Sequence, residues 1–314
     1  MDQLTKKSIK PWIRFYTQAF NILFQEGEKI LNELINCSTE KTEGISINLL
    51  YRKMVELAYG QMSLSKNNEF ILMKSLNRES LETNLFLKYF KQENTKERSI
   101  SYQIHGINER IKHLKTFLPD HPTYEVYQQG LESLRVGKLN PTSGNILEIK
   151  TEIQRLELLI KSEPLGEIYK KYFENNPKLK WYSINNKGIN SIKDLSKNLG
   201  YELIYHTLYK SYSEYIHGYN LVKKDIVQYS SVTGRIEVFG IPGPPFELAH
   251  DFIFFQNMFK EASLSAVDCL KLENPQILTG LFERTKAHFQ INQVQVGQEF
   301  LTKEHIYIFP KNRK

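Results

Sequence analysis

Four side chains able to carry acid–base or phosphate chemistry, His206, Lys210, Ser213 and His217, follow one another at intervals of four, three and four residues. At about 3.6 residues per turn this spacing sets them in one line along a single helical face. Two imidazoles, an ammonium and a hydroxyl are poor core material, because each buried polar group needs a partner to offset its desolvation. The line therefore calls for a ligand, a reaction or a hydrogen-bond network. Metal-free RNA cleavage needs a base for the 2′-hydroxyl, an acid for the leaving oxygen and a cation against the phosphorane charge. His217 suits the first two roles, since an unperturbed imidazole titrates near pH ~6.5. Lys210 suits the third, and Tyr209 or Ser213 can orient the ring. One His217 per chain makes a symmetric homodimer the simplest way to bring two imidazoles together.

A structural explanation stands beside the chemical one. A histidine near a helix C-terminus and followed by glycine, as in His217-Gly218, is favoured by the macrodipole and can cap free carbonyls. Ser213 can bond back to the carbonyl of Tyr209, and the tyrosines can be packing. Upstream, Arg78 and Glu82 stand at i and i+4, where an ordinary surface ion pair contributes at most about 0.5 kcal/mol. If both face the interior they can orient His217 or Lys210, and His206 lies within the same line.

The elements that must position these residues are helical. Apolar periodicity predicts helices over 12–34, 47–62, 68–92, 95–117, 147–162, 165–173, 191–199 and 201–216, with Gly200 closing the seventh at a C′ position. After Gly218 the pattern changes: 232–239 alternates like a strand, and the Gly-Pro run 240–245 must be irregular. Helices return over 246–262, 265–272 and 277–289. The expectation is an all-α, multi-helix bundle with short extended pieces in its C-terminal part. Residues 1–228 would form a helical body, and 229–314 a helical extension packed on it.

Composition narrows the classes. An apolar fraction of 40% with 25% charged residues describes a globular chain, long enough at 314 residues for a sizeable core. Eighteen tyrosines fall largely within helical patterns, where their rings can edge the core and their hydroxyls reach polar partners. The net charge of +7 permits a polyanionic partner, although the basic residues are spread evenly. Cys37 and Cys269 fit neither a disulfide framework nor a metal spacing, so no cofactor or metal is expected. No secretory signal is read at the N-terminus and no apolar run can span a bilayer, which points to a cytoplasmic chain without a membrane partner.

Three groups of residues together carry a resemblance: Arg78-Glu79-Ser80-Leu81-Glu82, then Trp181-Tyr182, then Tyr205-x-x-x-Tyr209-Lys210-Ser211-Tyr212-Ser213-x-x-x-His217-Gly218. Over about residues 50–230 the chain resembles the prokaryotic domain of unknown function 5677, a resemblance that implies a helical fold and no established reaction. The Lys210-to-His217 spacing is also similar to the Arg-to-His motif of the HEPN superfamily of helical ribonucleases. That second resemblance implies metal-independent RNA cleavage in a defence or toxin–antitoxin setting, with RNA or a protein of the same system as partner. Lys210 stands where that motif has arginine, keeping the charge without the planar fork that matches a phosphate. A non-enzymatic interaction or sensor module, and an RNA binder that does not cut, are the alternatives.

Overall fold

The computed structural model describes residues 3–39, 41–67, 69–135, 142–185, 188–216, 227–229, 236–238, 245–272 and 276–296. In chain order the helices are α1 (Gln3–Ser38), α2 (Thr42–Lys66), α3 (Phe70–Gln92), α4 (Thr95–Lys115), α5 (Tyr124–Ser133), α6 (Ser143–Lys161) and α7 (Leu165–Ile168), which runs into a π turn at Tyr169–Phe173. They continue with α8 (Ile192–Asn198), α9 (Glu202–Ile204), a π turn at Tyr205–Tyr209, α10 (Lys210–Ile216), α11 (Pro245–Leu270) and α12 (Gln276–Val296). Strands β1 (Val227–Tyr229) and β2 (Ile236–Val238) pair antiparallel, with Val227 opposite Val238. The fold is all-α and multi-helical, with this short pair as its extended piece.

Residues 1–95 and 191–314 form one compact unit, and residues 96–190 a second. The expected boundary near residue 228 falls inside the first unit, because α11 packs against α3, α2 and α1. Its apolar residues Phe252, Phe254, Phe255, Met258 and Phe259 are buried. Phe20 of α1 meets Phe252 and Phe255 edge-on, with centroids 4.8 and 5.6 Å apart, a favoured aromatic geometry. Gly27 lets α1 come close: a Cβ there would lie 2.6 Å from Phe259 Cζ and 3.0 Å from Val55 Cγ2.

Two expected features differ. The serine-rich break between 262 and 265 does not occur, and α11 is continuous. Within it the Ser263 hydroxyl donates to the Phe259 carbonyl at 2.8 Å, and Tyr51 Oη lies 2.9 Å from Ser263 Oγ. With both partners the buried hydroxyl is not left unpaired, so its burial is tolerated inside the helix. α5 is a helix where none was expected, and none of its residues is buried.

In the second unit Trp181 and Tyr182 are buried in a short 3-10 turn, and Tyr102 meets Trp181 edge-on at 5.0 Å. They are core residues of that unit. Its π turn carries a polar cluster in which Lys171 and Tyr172 donate to the two oxygens of Glu97 at 2.5 and 2.9 Å. A groove of about 440 Å³ beside α5 is lined mainly by Phe117, Val126, Tyr127, Leu131 and Leu134.

Phe252 sits where α11 meets α1, so Phe252→Ala leaves a cavity that rigid helices cannot fill. The expected loss is about 3–5 kcal/mol, measured as an earlier urea midpoint of the first unit by tryptophan-independent far-UV circular dichroism.

Candidate functional site

The helix that carries the predicted motif begins at a defined joint. Ser191 caps α8 by accepting the Asp194 N–H at 3.1 Å. Gly200, at φ +80°, turns the chain out of α8 in the left-handed conformation that glycine adopts without a Cβ penalty. The Tyr201 N–H then donates to the Ser196 carbonyl at 2.7 Å, which fixes Tyr201 at the mouth of α9.

The π turn at Tyr205–Tyr209 follows, marked by the Lys210 N–H donating to the Tyr205 carbonyl five residues back. Such a turn sets the phase of the next residues back by close to one residue. A straight line through 206, 210, 213 and 217, drawn for a regular α-helix, is thereby bent. The face turned to the interior is instead a row of tyrosines: Tyr201, Tyr209 and Tyr212 are buried. Tyr205 stacks on Tyr209 with centroids 4.7 Å apart and planes at 19°.

Each buried tyrosine ends on a carboxylate. Tyr209 donates to Glu82 Oε1 at 2.7 Å and accepts from Arg78 Nη2 at 3.0 Å, both on α3. The Arg78 guanidinium also lies 4.9 Å from the Tyr209 ring centroid, within cation–π range. Tyr212 donates to Asp251 Oδ1 of α11 at 2.7 Å. Tyr201 donates to Glu261 Oε2 of α11, and that oxygen also receives Lys88 Nζ at 2.8 Å and Asn84 Nδ2 at 3.1 Å from α3. Lys88 Nζ donates to the Tyr201 hydroxyl as well.

Arg78, Glu82 and Tyr209, more than a hundred residues apart in sequence, are thus brought together. The Arg78–Glu82 pair bridges to another helix through a phenol and is more than a surface ion pair. Arg78 Nε, 3.4 Å from Glu82 Oε1, is not aligned to donate to it. His206 and Lys210 are exposed and Ser213 is half-buried. His206 touches the edge of Tyr205 at 5.6 Å. His217 lies outside the described residues.

The sequence reading missed Tyr201, Lys88, Asn84 and Glu261, and likewise Tyr212, Asp251, Asn77 and Gln61. The signal for Asp251 was present: an acidic residue preceding Phe252-Ile253-Phe254-Phe255 on a buried helix needs a partner. Asn77 supplies one link, donating to the Asp251 carbonyl at 3.2 Å, while Gln61 Nε2 donates to Asn77 Oδ1 at 2.7 Å.

Burial and the carboxylate partners hold all three phenols protonated. Burial, then the Glu82 hydrogen bond, pushes Tyr209 up to about 12. Burial and Glu261 raise Tyr201, and burial and Asp251 raise Tyr212 well above the usual range. Burial opposes the Arg78 charge, but Tyr209, Glu82 and Glu79 outweigh it and raise the guanidinium further. These tyrosines are hydrogen-bond donors, not bases, and Arg78 already faces two carboxylates. Among the described residues no group of three or more His, Cys, Asp or Glu is placed to hold a metal ion, and no helix is long and apolar enough to cross a membrane.

The model of a family of unknown function, DUF5677, matches residues 45–228, which include Arg78, Glu82 and the whole of α9 and α10. No curated protein and no solved structure matches the chain.

Removing the Tyr209 hydroxyl takes both the Arg78 and Glu82 hydrogen bonds with it. Tyr209→Phe is expected to cost about 1–3 kcal/mol in urea unfolding. A phenol raised above its unfolded value of about 10 adds stability that is complete below pH ~10 and lost as pH rises toward about 12. In Tyr209→Phe that alkaline loss should be smaller, as followed by denaturation midpoints between those pH values.

Proposed function

The chain belongs to the family of unknown function DUF5677, and on that premise we propose that it is a cytoplasmic, RNA-binding helical module whose contact face is the outward side of α9 and α10. One observation carries this reading. The tyrosines of this segment donate to carboxylates of α3 and α11, whereas His206 and Lys210 are exposed. A phosphate chain is complementary to an exposed ammonium and an exposed imidazole on one short segment, and the net charge of +7 assists its approach. Lys210 is the phosphate contact in this reading, since Arg78 is committed to Glu82 and Tyr209.

Anisotropy titration of a labelled single-stranded RNA at two salt concentrations tests the proposal. Lys210→Glu should weaken binding several-fold and flatten the salt dependence, because one phosphate contact is lost. Affinity unchanged in Lys210→Glu, or no binding by the wild type, would overturn it, and the latter result would favour a protein partner of a shared defence system on the same face.

A second reading, metal-independent cleavage, is favoured by the exposure of Lys210 seven residues before His217. In it His217 is base or acid, Lys210 neutralises the phosphorane, and a homodimer supplies the second imidazole. Wild-type protein would then cut single-stranded RNA in EDTA, His217→Ala would abolish cutting with binding retained, and Lys210→Arg would preserve or raise the rate. Bound RNA left intact by the wild type would leave binding as the function.

A further inference from the structure

Two of the three carboxylates that receive the tyrosines of α9 and α10 stand outside the family-matched span. Glu82 lies within residues 45–228, but Asp251 and Glu261 are on α11. Both sit at structured positions. Asp251 is 6% exposed, and Asn77, which donates to its carbonyl, is fully buried. Glu261 receives donors from Asn84, Lys88 and Tyr201 on a single oxygen. A carboxylate held by aligned donors is directional, so buried Asp251 and half-buried Glu261 each fix the rotation of the segment that offers a phenol.

We infer that Asp251 and Glu261 are positioning residues that set the orientation of α9 and α10, making α11 part of the functional site. The geometry requires a clamp at both ends. Tyr201 is held at the entry of α9 by Glu261, and Tyr212 in the first turn of α10 by Asp251; Tyr209 is held between them by α3. With the two ends fixed, the π turn between them has one arrangement, and His206 and Lys210 point outward. Loss of either end frees the helix to rotate about the Tyr209 contact. The functional importance of that orientation rests on the RNA-binding reading; the clamp itself does not.

Hydrogen–deuterium exchange of the full chain tests the clamp without RNA. In Asp251→Ala the amides of 205–216 should exchange about tenfold faster, while those in the core of α1 and α2 keep their protection. Asp251→Asn, whose amide oxygen still accepts the Tyr212 proton, should restore slow exchange, which a role in bulk packing alone would not predict. If Asp251→Ala does not fold, Tyr212→Phe removes the same bond by deleting one oxygen and should give the same local effect. Unchanged exchange over 205–216 in a folded variant, or loss of protection equally throughout the first unit, would overturn the inference. RNA titration of the same proteins separates the two ideas. If the wild type binds RNA, Asp251→Ala should bind several-fold more weakly and Asp251→Asn close to wild type. If the wild type does not bind, the function fails while the exchange result still decides the clamp.

Discussion

Three buried phenols, each reaching a carboxylate, hold the segment from Tyr201 to Tyr212 against α3 and α11. A tyrosine hydroxyl removed from water costs free energy unless its proton finds an acceptor, and a buried carboxylate costs more unless donors surround it. Each satisfies the other in the pairs Tyr209–Glu82, Tyr212–Asp251 and Tyr201–Glu261. The pairs join the Tyr201–Tyr212 segment to α3 and α11, helices that also pack on each other and are linked directly by Asn77, Asn84 and Lys88. The buried chain from Gln61 through Asn77 to Asp251 and Tyr212 extends the same constraint across α2, α3, α11 and α10. Apolar packing alone would tolerate small rotations of these helices; the hydrogen bonds select one.

This constraint separates the two sides of one short helix. Its inner side is occupied by groups whose donors and acceptors face each other, and whose raised phenol pKa values remove them from acid–base work near neutral pH. Its outer side leaves His206 and Lys210 in water. A ligand approaching α9 and α10 from solvent meets this outer side, with the inner side as its support. The π turn is the point of division, since its added residue sets which side chains face inward after it.

Much of this was legible in the residues. Periodicity locates α3, α4 and α8 closely, and the expectation of Gly200 as a C′ residue agrees with its φ of +80°. The expectation that the Arg78 helix meets the Tyr209 segment is met by direct hydrogen bonds. The line of His206, Lys210 and Ser213 was drawn on a regular helix, and no local signal in Tyr-His-Thr-Leu-Tyr announces a wider turn. The partners on α11 were not legible because they depend on tertiary packing over separations such as Tyr212 to Asp251. α11 itself was divided at Ser263 because propensity does not register a hydroxyl with two partners.

The most direct measurement of the account is hydroxyl-radical footprinting of the folded chain, read residue by residue by mass spectrometry. Tyr209 and Tyr212, 8% and 3% exposed, should be modified slowly, and exposed His206 quickly. Rapid modification of Tyr209 and Tyr212 together with protection of His206 would mean that the helix presents its opposite side to solvent, and would contradict the account.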